Sequence, residues 1–194
     1  MHRSTMLILC ALALGLFVAS AWAQTAPPAD TLKVDYFANA NTAGAPDGTL
    51  RITNPGTSGS GLCAAIFVFD VNQELTECCS CYLSPDGLRT LSVDTDLTSN
   101  PLTGKTLTGG LLKIVSTRAN SGVCPNPTSL SPLAAVRAWS THIQNAGFAI
   151  TETASQDATF SATEQTSLQN ECHAIHLDGS TKGICTCGTG DGTT

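Results

Sequence analysis

Three cysteines fall within four residues, at Cys78, Cys79 and Cys81, inside a run that otherwise reads as a β-strand. This cluster constrains the fold more than any other stretch. Around it, Leu62 to Leu88 reads LCAAIFVFDVNQELTECCSCYLSPDGL. Cys63 to Asp70 is a continuous apolar run rich in β-branched and aromatic residues, the pattern of a strand covered on both faces. Asp70-Val71-Asn72-Gln73 interrupts it, and Leu75 to Leu83 then carries the three cysteines. Ser84-Pro85-Asp86-Gly87 has type I turn chemistry, with Pro second and Gly fourth. The segment is predicted to be a central β-hairpin that staples the fold. In a strand, Cys79 and Cys81 share one face and Cys78 takes the other. With a three-residue turn Cys63 lies opposite Cys81, which makes a cross-strand bridge possible there. A Cys78–Cys79 bridge would strain the peptide between neighbours and is disfavoured.

The compartment follows from the N-terminus. His2 and Arg3 give a short basic start, Met6 to Val18 is apolar, and Ala21-Trp22-Ala23 is an A-x-A cleavage site before Gln24. Residues 1–23 therefore read as an export signal, too short in its apolar part for a comfortable membrane span. Cys10 invites a lipoprotein reading, but Leu9 is not the small residue that such processing needs. Removal of the signal takes Cys10 away and leaves Cys63, Cys78, Cys79, Cys81, Cys124, Cys172, Cys185 and Cys187. An even set in an exported chain of this size reads as a disulfide framework, with roughly a hundred possible pairings. Cys172 could reach Cys185 or Cys187, clamping a helix to the sheet. The expected location is periplasmic or extracellular.

Acidic residues outnumber basic ones by 15 to 9, a net charge of −6, and the charges are scattered. That balance argues against a nucleic-acid or anionic-membrane partner. Aromatic content is 5%, and beyond the signal only Trp139, Tyr36 and Tyr82 are large rings with a polar handle. Glycan-binding modules need exposed rings as stacking platforms. Three rings, some of them needed by the core, argue against that class without excluding it.

Residues 24–30, with Pro27-Pro28, form an extended leader. Thr31 to Phe37 alternates, with Leu32, Val34 and Tyr36 expected inward and Lys33 and Asp35 outward. Thr49 to Thr53, Arg89 to Leu97 and Leu111 to Thr117 read as further strands, with Leu91, Val93 and Leu97 pointing in. Gly56 to Gly61 is a flexible loop that matches neither a phosphate loop nor a nucleophile elbow. Cys124 pins a long proline-rich loop. Val136 to Ile143 is ambiguous between a helix starting at Ser131-Pro132 and a strand, but its alternation, with Asn145-Ala146-Gly147 and the strand Phe148 to Thr153 following, favours a hairpin. Ala162 to His176 is the one convincing helix. Ser161-Ala162-Thr163-Glu164 is a capping box, Leu168, Cys172 and Ile175 form one apolar stripe, and Gly179 ends it. Gly183 to Cys187 is expected as a last short strand, and 188–194 as a Gly-rich disordered tail. The fold class is mainly β: a disulfide-stapled antiparallel β-sandwich over 31–187, with one C-terminal helix.

Few constellations carry chemistry. Cys172, His173, His176, Cys185 and Cys187 could supply thiolate and imidazole ligands to zinc or copper, perhaps with Cys78, Cys79 and Cys81. Their spacing matches no standard zinc module, and export favours oxidation of the thiols. Asp70-x-Asn72-x-Glu74 resembles the start of a calcium loop. However, Leu75 stands at the Gly position and Cys81 at the closing Glu position, so a polar hairpin turn fits better. Asp94 and Asp96 are a weaker calcium pair. His142 alternates with apolar residues and reads as a surface or packed strand residue rather than a general base. His173 and His176 lie near a helix end, where a protonated imidazole suits the dipole. No catalytic residue is assigned.

Cys63 to Asp70, then Glu77-Cys78-Cys79-Ser80-Cys81, then Ser84-Pro85-Asp86-Gly87-Leu88 and Leu91-Ser92-Val93 resemble a group of uncharacterised secreted bacterial proteins. The shared pattern is CAxIxVFD, ECCSC and PxGL, and the resemblance runs on to Cys187. It implies secretion and membership of that group, and brings no activity, cofactor or site. The expectation is an exported, non-catalytic binding, adhesion or structural module with an unknown protein or surface ligand and no cofactor. A zinc- or copper-handling protein is the alternative, and a secreted hydrolase the third.

Overall fold

The computed structural model describes residues 31–144 and 147–190; the stretches read as an export signal (1–23) and a leader (24–30) lie outside them. The strands are β1 (Leu32–Ala38), β2 (Thr49–Thr53), β3 (Leu62–Asp70), β4 (Leu75–Leu83) and β5 (Leu88–Ser92). They continue with β6 (Gly109–Arg118), β7 (Arg137–Gln144), β8 (Ala149–Ala154), β9 (Gln156–Ala158) and β10 (Thr189–Gly190). Helix α1 (Ala162–Asp178) lies between β9 and β10. Two antiparallel sheets result: sheet A in the order β4-β3-β6-β1-β9, and sheet B in the order β10-β5-β2-β7-β8. The expected β-sandwich with one late helix is what the chain forms.

The apolar run Cys63–Asp70 is continuous because β3 is enclosed on every side. It is flanked by β4 and β6, and all nine of its residues are buried. Ala64, Ile66 and Val68 face Leu50, Ile52 and Leu91 of sheet B across the main core. Ala65, Phe67 and Phe69 face the other way, into a second core closed by Leu168, Cys172 and Ile175 of α1. Sheet A is thus covered on both faces, whereas the outer face of sheet B has no covering layer among the described residues. No helix of the described residues is long and apolar enough to cross a membrane.

Helix α1 starts as expected, with Ser161 Oγ accepting from Glu164 N at 3.1 Å, and ends at Gly179 in the left-handed region (φ 66°). The other half of the capping box is diverted, since the Glu164 carboxylate pairs with Lys113 on β6.

Four local expectations are corrected. The strand read over Arg89 to Leu97 stops at Ser92, and Val93–Leu97 is a π-helical turn. Side chains there compete with the ladder: Ser92 Oγ accepts from Thr95 N at 2.8 Å, and Asp96 Oδ2 accepts from Ser92 N at 2.7 Å. Leu91, Val93 and Leu97 are nevertheless buried. On β1 both faces are covered: Leu32 and Val34 pack into the core beneath α1 as expected, but Lys33 and Asp35 are buried as well, and Tyr36 is exposed. Both buried charges have partners, Asp157 for Lys33 and His142 with Ser155 for Asp35. Gly183 to Cys187 forms no strand of either sheet; it is tethered by a single parallel bridge, Ile184 to Cys78, and by its cysteines. Finally, Thr189–Gly190, read as part of a disordered tail, pair with Thr90 and Arg89 as β10.

Candidate functional site

All eight cysteines beyond Cys10 are bonded, as Cys63–Cys124, Cys78–Cys172, Cys79–Cys185 and Cys81–Cys187, with Cα separations of 5.2 to 6.0 Å. The alternation of β4 sets this pattern. Cys78 faces the α1 side and takes Cys172, while Cys79 and Cys81 face the inter-sheet side and take Cys185 and Cys187. The matched i, i+2 spacing of the last two pairs suits two extended segments running side by side.

Three of the pairings considered from sequence are corrected. Cys63 lies opposite Tyr82, and Cys81 opposite Ala64, so Cys63 and Cys81 point through opposite faces of sheet A. Cys172 reaches neither Cys185 nor Cys187, because sheet A separates them. Cys78 and Cys79 are not bonded to each other, in line with the expected strain.

The same separation splits the five-residue metal set. The ligand atoms of Cys78, Cys172 and His176 lie within 4.8 Å of one another, and His176 Nε2 is buried without a hydrogen-bond partner. The two sulfurs are bonded to each other, however, and so are not the thiolates that zinc or copper would take. His173 is exposed, and Cys185 and Cys187 lie across the sheet. The Asp70 segment is a hairpin turn: the carboxylate accepts from Asn72 N (2.8 Å), Glu74 N (3.0 Å) and Asn72 Nδ2 (3.1 Å). Burial opposes ionisation of Asp70, but these donors, with Lys105 nearby, outweigh it and hold the carboxyl below its ordinary value. Asp94 and Asp96 fasten loops, accepting from Asn41 N at 2.9 Å and from Thr186 Oγ1 at 2.7 Å.

Two buried polar clusters were not legible in the sequence. In the first, His142, 3% exposed, lies beneath the ring of Tyr36 at 4.1 Å between centroids. Its Nε2 meets both Asp35 Oδ1 (3.3 Å) and Thr153 Oγ1 (2.8 Å), while Nδ1 has no partner. A nucleophile relay needs the carboxylate on one ring nitrogen and the hydroxyl on the other. Here both sit on the same nitrogen, so the cluster is a buried hydrogen-bonded knot. In the second, Glu77 is fully buried on β4, with Oε1 accepting from Asn100 N at 3.0 Å and Oε2 without a partner. Desolvation raises its carboxyl to about 7, against the smaller opposing pull of the Asn100 amide.

Two clefts and one open face of the described residues bear on binding. A cleft of about 330 Å³ between α1 and sheet A has Phe69, Leu111 and Leu168 along its floor and the Lys113–Glu164 pair on its rim. A more polar cleft of about 450 Å³ lies between Asn100, Lys105 and Lys182. The open face is the outside of sheet B. Trp139, the sole tryptophan among the described residues, sits there on β7, 37% exposed. Register places Arg51 of β2 directly beside it, with Thr90 of β5 next in line and Ala154 of β8 on the other flank. Arg51 pairs with Glu152 across the same face, and Thr49 and Thr141 join through their hydroxyls at 2.7 Å. Compared with protein-family models, curated proteins and solved structures, the chain matches none of them.

Proposed function

We propose that this chain is an exported, non-catalytic binding, adhesion or structural module, acting at the cell surface or in the periplasm. We also infer membership of the secreted bacterial group that its hairpin resembles. One observation carries the reading: every cysteine beyond the export signal is held in a bridge. Four disulfides fit an oxidising compartment and leave no thiolate for nucleophilic or metal chemistry. The remaining imidazole–carboxylate pair, His142 with Asp35, is enclosed within the sandwich. What faces outward is an uncovered sheet with an exposed indole, the kind of surface on which binding energy concentrates.

The test is made on protein recovered from the export compartment, without chelator. Its N-terminus is expected at Gln24, its non-reduced mass eight hydrogens below that of the reduced chain, and its metal content negligible. Free thiols in the denatured, non-reduced protein, or stoichiometric zinc or copper, would overturn this reading in favour of the metal-handling alternative.

A further inference from the structure

The sequence argues against a glycan-binding role because it has only three such rings and some of them are expected in the core. The structure removes that premise. Tyr36 is 45% exposed and Trp139 37%, and both border β7: Trp139 belongs to it, and Tyr36 stacks on its His142 and accepts a hydrogen bond from Gln144 Nε2 at 3.2 Å. Tyr36 has one face against His142, so the ring left open on the outside of sheet B is Trp139.

Resting on the binding-module reading above, we propose that the outer face of sheet B around Trp139 is a subsite for a neutral, hexose-based glycan. The indole offers a flat apolar surface to the C–H face of a pyranose ring. Polar groups stand around it on the same side of the sheet, because residues directly opposite in register share a face. Arg51 supplies N–H donors, Glu152 a carboxylate acceptor, and Thr90 and Thr141 hydroxyls that do both. Donors and acceptors spaced around an aromatic platform match the alternating C–H and O–H groups of a sugar.

Charge selects the class of glycan. Arg51 is already neutralised by Glu152. Arg137, the next residue along this face of β7, donates to Val136 O at 3.4 Å. A polymer carrying an anion on every unit would have to draw one of the two arginines from its present contacts, whereas a neutral sugar can hydrogen-bond to the Arg51–Glu152 pair as it stands. The chain's net charge of −6 works in the same direction, repelling a polyanion at long range. The site is also rigid, since β7 is held between β2 and β8. Little ordering cost therefore falls on the protein when a ligand binds.

The experiment uses the exported protein, in which Trp139 is the only indole once Trp22 has left with the signal. Its fluorescence is titrated with neutral hexasaccharides of glucose, galactose and N-acetylglucosamine, and with polygalacturonate, at low and high salt. A saturable change with at least one neutral probe, insensitive to salt, is expected. Trp139→Ala should weaken binding at least about tenfold, as truncation of an aromatic anchor does, by a calorimetric readout that does not need the indole. Trp139→Phe should retain part of it, and Arg51→Ala should weaken it with the indole in place. Trp139 is two thirds covered and Arg51 is ion-paired, so some loss in melting temperature is expected, and each variant is first shown by circular dichroism to be folded at the titration temperature. Absence of saturation with every neutral probe overturns the assignment. So does unchanged affinity in Trp139→Ala, or binding confined to polygalacturonate and abolished by salt. If the four bridges and metal-free state hold while every sugar fails, the subsite alone falls and the module reading stands.

Discussion

Cys78 and Cys79 are adjacent in the chain, yet their bridges leave through opposite faces of sheet A, one to Cys172 on α1 and the other to Cys185 beyond it. A single strand thus anchors the helix on one side and the segment after the helix on the other. The loops closed are long, with separations of 94 and 106 residues, so each bridge removes much freedom from the unfolded chain. Each double replacement by alanine, Cys78 with Cys172 or Cys79 with Cys185, should cost about 2–5 kcal/mol.

Location should distinguish the two. Loss of the Cys78–Cys172 bridge should speed hydrogen exchange across α1, while loss of Cys79–Cys185 should do so around 180–187 and leave α1 protected. Equal loss of protection in both regions by either variant would mean that the two clamps act as one unit.

The faces of these cysteines were legible because strand alternation is strict, but their partners were not. The hairpin begins in the register that pairs Phe69 with Leu75, which, carried through, would set Cys63 opposite Cys81. A bulge between Val68 and Phe69 shifts the ladder by one residue, so Cys63 meets Tyr82 and turns away from Cys81. One extra residue in a strand leaves no mark in composition. The extra residue is Thr76, whose hydroxyl donates to Val68 O at 2.9 Å and whose carbonyl accepts from Leu102 N.

Burial on β1 and β7 was hidden for a different reason. Lys33 and Asp35 look solvent-facing until their partners, far away in sequence at Asp157, His142 and Ser155, are brought to them. On β7 the two faces read Arg137, Trp139, Thr141 and Ala138, Ser140, His142, and neither is clearly apolar. Sequence therefore identified Trp139 as a candidate ring but could not say that it stays outside.

The helix supplies a graded test of the second core. Ser161→Ala removes one cap acceptor and should cost about 1 kcal/mol, whereas Leu168→Ala empties a buried position and should cost about 2–5 kcal/mol. Denaturant melts give both values. A smaller loss for Leu168→Ala than for Ser161→Ala would mean that α1 is held by Cys78–Cys172 and not by its apolar stripe.

Asp70 should make the hairpin turn sensitive to acid. Its carboxyl is held below the ordinary value in the folded state, so its contribution is present above the unfolded value near 3.8 and is lost as pH falls through the folded one. Asp70→Ala removes the acceptor for three turn donors and should cost on the order of 1–3 kcal/mol at neutral pH. That deficit relative to wild type should shrink as pH falls below 3.8 and through the folded value, where the wild-type group takes up its proton. A constant deficit from pH 7 down to the lowest pH at which both proteins still fold, by thermal melts, would show that charge at Asp70 contributes nothing.

Glu77 should act in the opposite direction and at higher pH. Its carboxyl rises from 4.5 to about 7 on burial, so the folded state holds a proton that the unfolded chain releases. Stability from this group is complete below about pH 4.5 and is lost as pH climbs through 7, by about 3 kcal/mol in all. Above pH 7 the fold keeps a charged carboxylate whose Oε2 has no partner. The segment around Asn100, which donates to Oε1 and accepts from Gly183 N at 2.7 Å, should loosen first. Glu77→Gln keeps an acceptor for the Asn100 amide and carries no charge. It should melt close to wild type at pH 5, above it at pH 8, and without the wild-type decline between the two. Parallel pH profiles for wild type and Glu77→Gln would mean that the proton on Glu77 is not what the fold retains.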